Sequence, residues 1–516
     1  MAASSVACIE LLCSAPSSLP CTQWLSAAGA KYMPTHPSFF WHDYETFGAD
    51  PARDRPSQFA GRRTDADLNP IGEPLMVYCK PILDVLPHPD ACLITGITPQ
   101  QALAKGVPEP EFARQILEAF SQPGTCAAGY NSIRFDDEVS RNLFYRNFYD
   151  PYQREWFGGN SRWDLLDVMR LWHALRPEGL DWPKREDGAT SFKLGHLSAA
   201  NGIVHEHAHD ALSDVDATIG LARALRKAQP RLFEHALKLR DKKFAATLFN
   251  LRELTPVLHV SAKISAARGC ISVIAPLAMH PTNNNQVITY DLSVDPTELL
   301  ELDEDELHDR VFTSEADLPE GMTRIPLKGV HLNKSPMLAP LSTLNPDQAE
   351  RWGIDLNRCQ EHRAILLRVR EALAEKVRTV FSAPEYDERD PELSIYGGFL
   401  PDADKPRLQR VRDATPEALT QFQGMFGDAR YNELLFRYRA RNYPKTLNAD
   451  EQVQWHEFVT RKLDFDTGLA SLTLEQYQDL LTEYQTLEKD PVRRAILDAL
   501  SAWPQESGLL DFLKPM

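Results

Sequence analysis

No Cys-x-x-Cys pair occurs in this chain, although it carries 8 cysteines in 516 residues. They stand at positions 8, 13, 21, 79, 92, 126, 270 and 359. Those spacings suit neither a zinc cluster nor a small disulfide framework, so reduced thiols are expected. No stretch approaches the roughly 20 uninterrupted apolar residues of a membrane span, and neither an internal repeat nor a low-complexity tract is present. Basic charge is not in excess either: 56 Lys and Arg against 73 Asp and Glu leave −17. This excludes a generally basic nucleic-acid coat but not a nucleic-acid enzyme, because the charge that matters there is local to a groove. What remains is 43% hydrophobic and 25% charged residues. That is the composition of a soluble globular protein, in a chain long enough for roughly two to four domains.

Residues 1–37 are rich in Ala and Ser and hold three of the cysteines. No Lys or Arg precedes their apolar part, as a signal peptide would need. A disordered extension is expected, with Met33 as a candidate start. Residues 38–230 alternate strand-like and helix-like segments, the pattern of an α/β domain. "SFFWHDYETFG" and "PLMVYCKP" read as strands, separated by a basic, Pro-punctuated loop, "ADPARDRPSQFAGRRTD". "TCAAGYN" reads as a short buried strand; "PEFARQILEAF", "DDEVSRNLFYRNF", "SRWDLLDVMRLWHAL" and "LSDVDATIGLARALRKAQ" read as helices. Residues 231–385 contain short β-branched segments bounded by turn residues, a small β domain with flanking helices. An acidic run within it, "ELLELDEDELHDR", reads as a solvated helix or loop. Helical patterns dominate residues 386–516, which are expected to form a C-terminal helical domain.

The first strand places Asp43 and Glu45 two positions apart inside a run of aromatics. On a strand such residues share a face, so both carboxylates aim at one spot. Two close buried like charges must be protonated, paired or bound to a cation, though a surface pair fits the same spacing. Asp136 and Asp137 stand where a glycine-bounded strand gives way to a helix. Acids there stabilise the helix N-terminus by about 0.3–1 kcal/mol, yet the same place lets a side chain reach over a neighbouring strand. In "VHEHAHDALSDVDATIG" the alternating His205, His207 and His209 invite a zinc reading, which lacks the Cys partners or helical His spacing of such sites. The sharper reading puts His209 on the loop and Asp214 one turn into the helix. There Asp214 is a metal-ligand candidate and His209 a proton acceptor titrating near neutrality. Asp210 is a candidate helix cap, and Asp216 lies well around the helix from Asp214.

"HDYETFG", "GYNSIRFDDEVSRNLFYRNFYDPY", "SRWDLLDVMR", "LRPEG" and "HAHDALSDVDATI" together resemble the bacterial exonuclease I family. These are DEDD exonucleases with a catalytic histidine that degrade single-stranded DNA from the 3′ end. The likeness continues through "VLHVSAKI", "RGCISVIAPLAMHP", "HLNKSPML" and "LLFRYRARNYP", and so covers the chain from about residue 38 onward. It implies a ribonuclease H-like exonuclease domain, a small SH3-like β-barrel domain and a C-terminal all-helical domain, enclosing the strand processively. The family's acids and histidine fall on Asp43, Glu45, Asp136, Asp214 and His209. Their implied cofactor is a pair of Mg²⁺ ions, with Mn²⁺ as a substitute. Such ions, about 3.5–4 Å apart, stabilise the attacking and leaving oxygens and favour hard oxygen ligands. Asp43 would bridge both, Glu45 and Asp214 would hold the water-activating one, Asp136 the other through water, and His209 would be the general base.

Further implied contacts are less sharply marked. Thr46, Phe47, Thr95 of "LITGIT" and Asn131 would line the pocket for the 3′ end, beside Glu45; without the resemblance "LITGIT" reads as a plain hairpin or loop. Arg437, Arg439 and Arg441, interleaved with aromatics in "FRYRARNYP", suit phosphates and stacked bases. On spacing alone the reading of core aromatics with arginines paired to acids is favoured. Arg141 and Arg268 are comparable DNA-contact candidates. The resemblance also implies binding of the acidic tail of single-stranded-DNA-binding protein, with Arg176 as one contact. His235 and Asn345 depart from that pattern, where Tyr and Arg are expected. A cytoplasmic, nucleoid-associated monomer acting in DNA repair completes the expectation. Rival readings are a DEDD exoribonuclease or proofreading nuclease, against which the long C-terminal half argues, and a binding scaffold with a dead nuclease fold, against which the complete acid set argues.

Overall fold

The computed structural model describes residues 37–205, 210–382 and 389–515. The N-terminal extension, His207 and His209 therefore lie outside the described residues. The first strand, β1 (Ser38–Thr46), is central in a five-stranded sheet of order β3-β2-β1-β4-β5. Its partners are β2 (Pro56–Thr64), β3 (Leu75–Tyr78), β4 (Thr125–Gly129) and β5 (Ser161–Asp164). β1, β4 and β5 run parallel; β2 and β3 are antiparallel to their neighbours. Among the described residues, seven α-helices complete the domain: α1 (Pro89–Thr95), α2 (Pro99–Lys105), α3 (Glu109–Phe120), α4 (Asp136–Arg146), α5 (Leu165–Leu175), α6 (Leu194–Ala200) and α7 (Ala211–Ala228).

Alternation along β1 sorts its side chains between two layers. Phe39 and Trp41 join the core beneath α5 and α7, while Phe40 and Tyr44 pack with Phe112 and Phe120 of α3 and Val139 and Leu143 of α4. Asp43 and Glu45 continue the α7 side.

Three local readings change. The Pro-punctuated loop contains β2, which pairs with β1 from Phe39↔Thr64 to Thr46↔Pro56. Its buried Ser57, Gln58 and Thr64 hide it from hydrophobic patterning, and partnership with β1 makes it a strand. "SRWD" is β5 rather than the start of a helix; Asp164 ends the strand and caps α5 by accepting from the Leu166 N–H. "LITGIT" is neither hairpin nor plain loop. Thr95 ends α1, Gly96 caps it at φ 71°, a conformation that favours glycine, and Thr98 caps α2.

The second domain holds an antiparallel sheet of order β10-β6-β7-β8-β9. Its strands are β6 (Val257–Val260), β7 (Ile271–Met279), β8 (Gln286–Asp291), β9 (Leu327–His331) and β10 (Met337–Pro340). The acidic run forms two helices, Thr297–Glu301 and Glu304–Phe312, the second opened by a reciprocal Asp303–Glu306 cap. This domain docks on α5, where the Trp352 indole donates to the Ala174 carbonyl at 3.0 Å.

In the C-terminal helical domain, "FRYRARN" ends the helix Ala429–Asn442, and Tyr443 caps it. Its arginines are buried and bound to acids: Arg437 to Asp390 and Glu433, Arg439 to Glu451, Arg441 to Asp84 and Glu392. This corrects the expectation of phosphate contacts at Arg437, Arg439 and Arg441, since guanidinium groups held by carboxylates inside the protein do not face a strand. Among the described residues, no helix is long and apolar enough to cross a membrane.

Arg441 joins two acids from different parts of the chain, Asp84 and Glu392, both buried. Removing one member of a buried charge set leaves its partners uncompensated, a loss of about 3–5 kcal/mol. Arg441→Met should therefore lower the urea midpoint by a corresponding amount, and an unchanged midpoint would refute this role.

Candidate active site

Pairing between β1 and β4 stops at Trp41↔Ala128, because the chain turns away after Gly129. A Cβ on Gly129 would lie 2.8 Å from the His42 carbonyl oxygen, so glycine permits the close exit. Beyond that point β1 runs on without its parallel neighbour. Asp136, the first residue of α4, takes the vacated position: the Tyr44 N–H donates to its Oδ1 at 2.9 Å. The helix is further anchored at its start by Asp137, which pairs with Arg154 at 2.5 Å and Arg162 at 2.8 Å.

On the other face, α7 crosses β1 and β2 and brings Asp214 in its first turn over the end of the strand. Asp43, Glu45 and Asp214 each present an oxygen within 4.8 Å of the other two. The expected decoys behave differently. Asp210 caps α7 by accepting from the Ser213 N–H, and Asp216 pairs with Arg62 on β2.

The electrostatics set these acids apart. Burial and then the charges of Asp136, Glu45 and Asp214 push Asp43 well above the usual carboxylate range. Burial and the charges of Asp214, Asp136 and Asp210 push Glu45 up to about 9. Asp136 is likewise raised, chiefly by burial, despite the Tyr44 N–H. Four other buried acids go the opposite way: Asp137, Asp84, Glu109 and Glu392 are held low by adjoining Arg or Lys, while Asp164 and Asp54 are raised by burial. Among the described residues no Lys or Arg pairs with Asp43, Glu45, Asp136 or Asp214; only the His205 imidazole reaches the group, 2.5 Å from Asp214 Oδ1. Hard oxygen donors in a buried, uncompensated cluster fit a divalent cation such as Mg²⁺ or Mn²⁺.

The remaining candidates are spread more widely. Thr46 is half-buried and bonds the Gly48 carbonyl; the Phe47 side chain is buried in a core shared with C-terminal helices. Thr95 Oγ1 accepts from the Ile97 N–H, and Asn131 adopts φ 66° with its N–H bound to Asp164. Arg141 is buried against Glu138 and Glu155 and meets the Tyr396 hydroxyl, which leaves little of it for a strand. Arg268 is 40% exposed beside Asp291 and Ser293. Arg176 is half-buried and donates to the Thr343 carbonyl at 3.2 Å. Nearby, His235 bonds the Leu338 carbonyl and Asn345 caps the helix Pro346–Arg351. Asp164 went unremarked in the sequence. It accepts from the N–H groups of Asn131, Ile133 and Leu166 and so holds the turn leading to Asp136. An acid immediately ahead of an apolar helical run was the available signal.

Repulsion within the cluster destabilises the metal-free protein. Asp43→Asn should raise its stability by about 0.5–2 kcal/mol while removing the stabilisation that Mg²⁺ or Mn²⁺ confers on the wild type. Thermal melts with and without chelator check both halves; a variant still stabilised by metal as strongly as wild type would refute the assignment.

Residues 40–222 match an exonuclease family, residues 240–383 the Exonuclease I SH3-like domain and residues 389–507 the Exonuclease I C-terminal domain. Exodeoxyribonuclease I of Escherichia coli (strain K12) is 47% identical over 471 residues, covering 91% of this chain and 98% of that protein. Exonuclease I of Methylocaldum szegediense superposes with a TM-score of 0.86 at 48% identity, over 93% of this chain and 100% of that one. The E. coli enzyme in complex with a dA16 oligonucleotide gives 0.86 at 46% identity, over 91% and 99%. Solved relatives also include a zinc-bound complex of the E. coli protein with single-stranded DNA and a structure described as SSB/Exonuclease I. The ribonuclease H-like, SH3-like and helical domains are those of one known enzyme architecture, and the chain belongs to the exonuclease I family of exodeoxyribonucleases.

Proposed function

We propose that this protein degrades single-stranded DNA processively from the 3′ end, releasing 5′-mononucleotides by two-metal-ion hydrolysis. The observation that carries this reading is the contrast among buried acids. Asp137, Asp84, Glu109 and Glu392 have Arg or Lys partners, while Asp43, Glu45, Asp136 and Asp214 share one strand end with none. Bound divalent cations would supply the positive charge that stabilises the attacking and leaving oxygens. Asp43, Glu45 and Asp214 are the residues to hold them, with Asp136 on the leaving-group side. His209 takes a proton from the attacking water, whose oxygen bonds to phosphorus as the P–O3′ bond breaks. The departing 3′ oxygen is protonated from solvent, which leaves a shortened strand with a free 3′ hydroxyl.

Thr46, Thr95, Asn131 and Arg268 remain proposed contacts for the strand, and Arg176 for the acidic tail of single-stranded-DNA-binding protein. The complex of the E. coli relative with an oligonucleotide and the structure described as SSB/Exonuclease I support both partners. A monomer acting in DNA repair in the bacterial cytoplasm, at the nucleoid, belongs to the same reading.

His209→Ala should lower kcat by at least about 100-fold while DNA affinity stays near wild type, since a positioned general base contributes about 10²–10⁴-fold. The wild-type rate should fall as the imidazole protonates below about pH 6–7. Near-normal turnover in the variant would overturn the base assignment. Comparison of single-stranded DNA, RNA and duplex DNA with Mg²⁺ should show preference for the first, and chelator should abolish degradation. Preference for RNA would favour an exoribonuclease, and activity that survives chelation would exclude the metal mechanism.

A further inference from the structure

The exit of β1 is held from outside the nuclease domain. Its ladder with β2 is irregular between Glu45 and Thr46, so regular sheet pairing gives out where the strand's last site acid stands. Such irregularities re-aim side chains and leave their geometry to other contacts. Here those contacts come from the C-terminal helices. Phe47 belongs to the apolar cluster of Phe436, Trp455 and Phe458, and Arg53 Nε donates to the Gly468 carbonyl at 2.6 Å.

Arg55, the last residue before β2, is buried and bonds Glu392 of the C-terminal domain. Glu392 also accepts from Arg441 at 2.8 and 2.9 Å, and Arg441 and Lys462 bind Asp84 of the nuclease domain. On its other side Arg55 stands 3.7 Å from Glu109, which is bonded twice by Arg146 at 2.8 and 2.9 Å. Arg146 is the last residue of α4, and Asp136 is the first. One ionic chain thus runs from Glu392 through Arg55 and Glu109 to Arg146. It touches two of the three segments that carry site acids, β1 through the loop 47–55 and α4 through its last turn.

Apolar side chains of similar volume often stabilise a protein as well as a buried ionic network does. What such a network adds is direction, since each guanidinium fork fits its carboxylates in one orientation. We propose that Glu392 and Arg55 form a positioning pair, through which the C-terminal helical domain holds Asp43 and Glu45 in metal-binding geometry. The domain then acts on the chemical step itself, apart from any grip on the strand. This rests on the function proposed above.

The test uses full-length Glu392→Gln with two readouts, Mn²⁺ affinity by calorimetry and kcat on both a trinucleotide and a long oligonucleotide. Supporting residues behind metal ligands typically change affinity by 10–100-fold, so Mn²⁺ binding should weaken on the order of tenfold. A displaced catalytic group loses rate whatever the substrate length, so kcat should fall about 10–100-fold on both substrates. Mn²⁺ affinity and trinucleotide kcat within about twofold of wild type, with loss confined to KM on the long strand, would overturn the proposal, because only interactions with bound strand would then have changed. Should Glu392→Gln fail to fold, Arg55→Lys keeps the buried charge but loses the fork, and the same two measurements decide with smaller shifts in the same direction. The underlying reading is tested separately: a wild type that binds Mn²⁺ but leaves single-stranded DNA intact would refute that reading, while the change in Mn²⁺ affinity would still report on positioning.

Discussion

Mutual repulsion among carboxylates at the end of β1 is the constraint around which this molecule is arranged. Asp43, Glu45, Asp136 and Asp214 arrive from one strand and two helices; Asp43 and Glu45 are raised by burial and by the charges of the other site acids, and Asp136 chiefly by burial. A fold does not bring such groups together for stability, because each added negative charge raises the cost of the others. They stay together because the surrounding framework over-determines their positions. β4 stops short and leaves the Tyr44 N–H for Asp136, Asp164 holds the turn before α4, and Asp210 caps α7 just ahead of Asp214.

Several other acids in the interior follow the opposite rule. Asp137 lies between Arg154 and Arg162, Asp84 between Arg441 and Lys462, and Glu109 beside Arg146. These pairs tie the nuclease domain together and lock it to the helical domain, so the same residue types serve two ends. Sequence distance does not separate structural duty from chemistry: Asp136 and Asp137 are neighbours with opposite fates.

Much of the site was legible in the sequence for a definite reason. Strand alternation is a local property, so Asp43 and Glu45 could be placed on one face before any partner was known. Helix-start chemistry is local too, which is why Asp210 could be read as a cap. The strand β2 was not legible, because its buried Ser57, Gln58 and Thr64 carry no apolar alternation and its conformation is set by the register with β1. The arginines of the helix Ala429–Asn442 show the same limit. Their pattern fits phosphate binding and buried pairing alike, and only the acids facing them, Asp84, Glu392 and Asp390 among them, decide between the two.

By itself, then, the sequence determined the order of domains, the strand face carrying the first two acids and the helix starts carrying the others. Each of these depends on residues near one another along the chain. The tertiary structure alone decided which acids go without a counter-charge, that β2 is a strand, and that Phe47 and Arg55 anchor the end of β1 in the C-terminal domain. Those outcomes depend on groups as far apart as Arg55 and Glu392, and no local pattern encodes a partner more than 300 residues away.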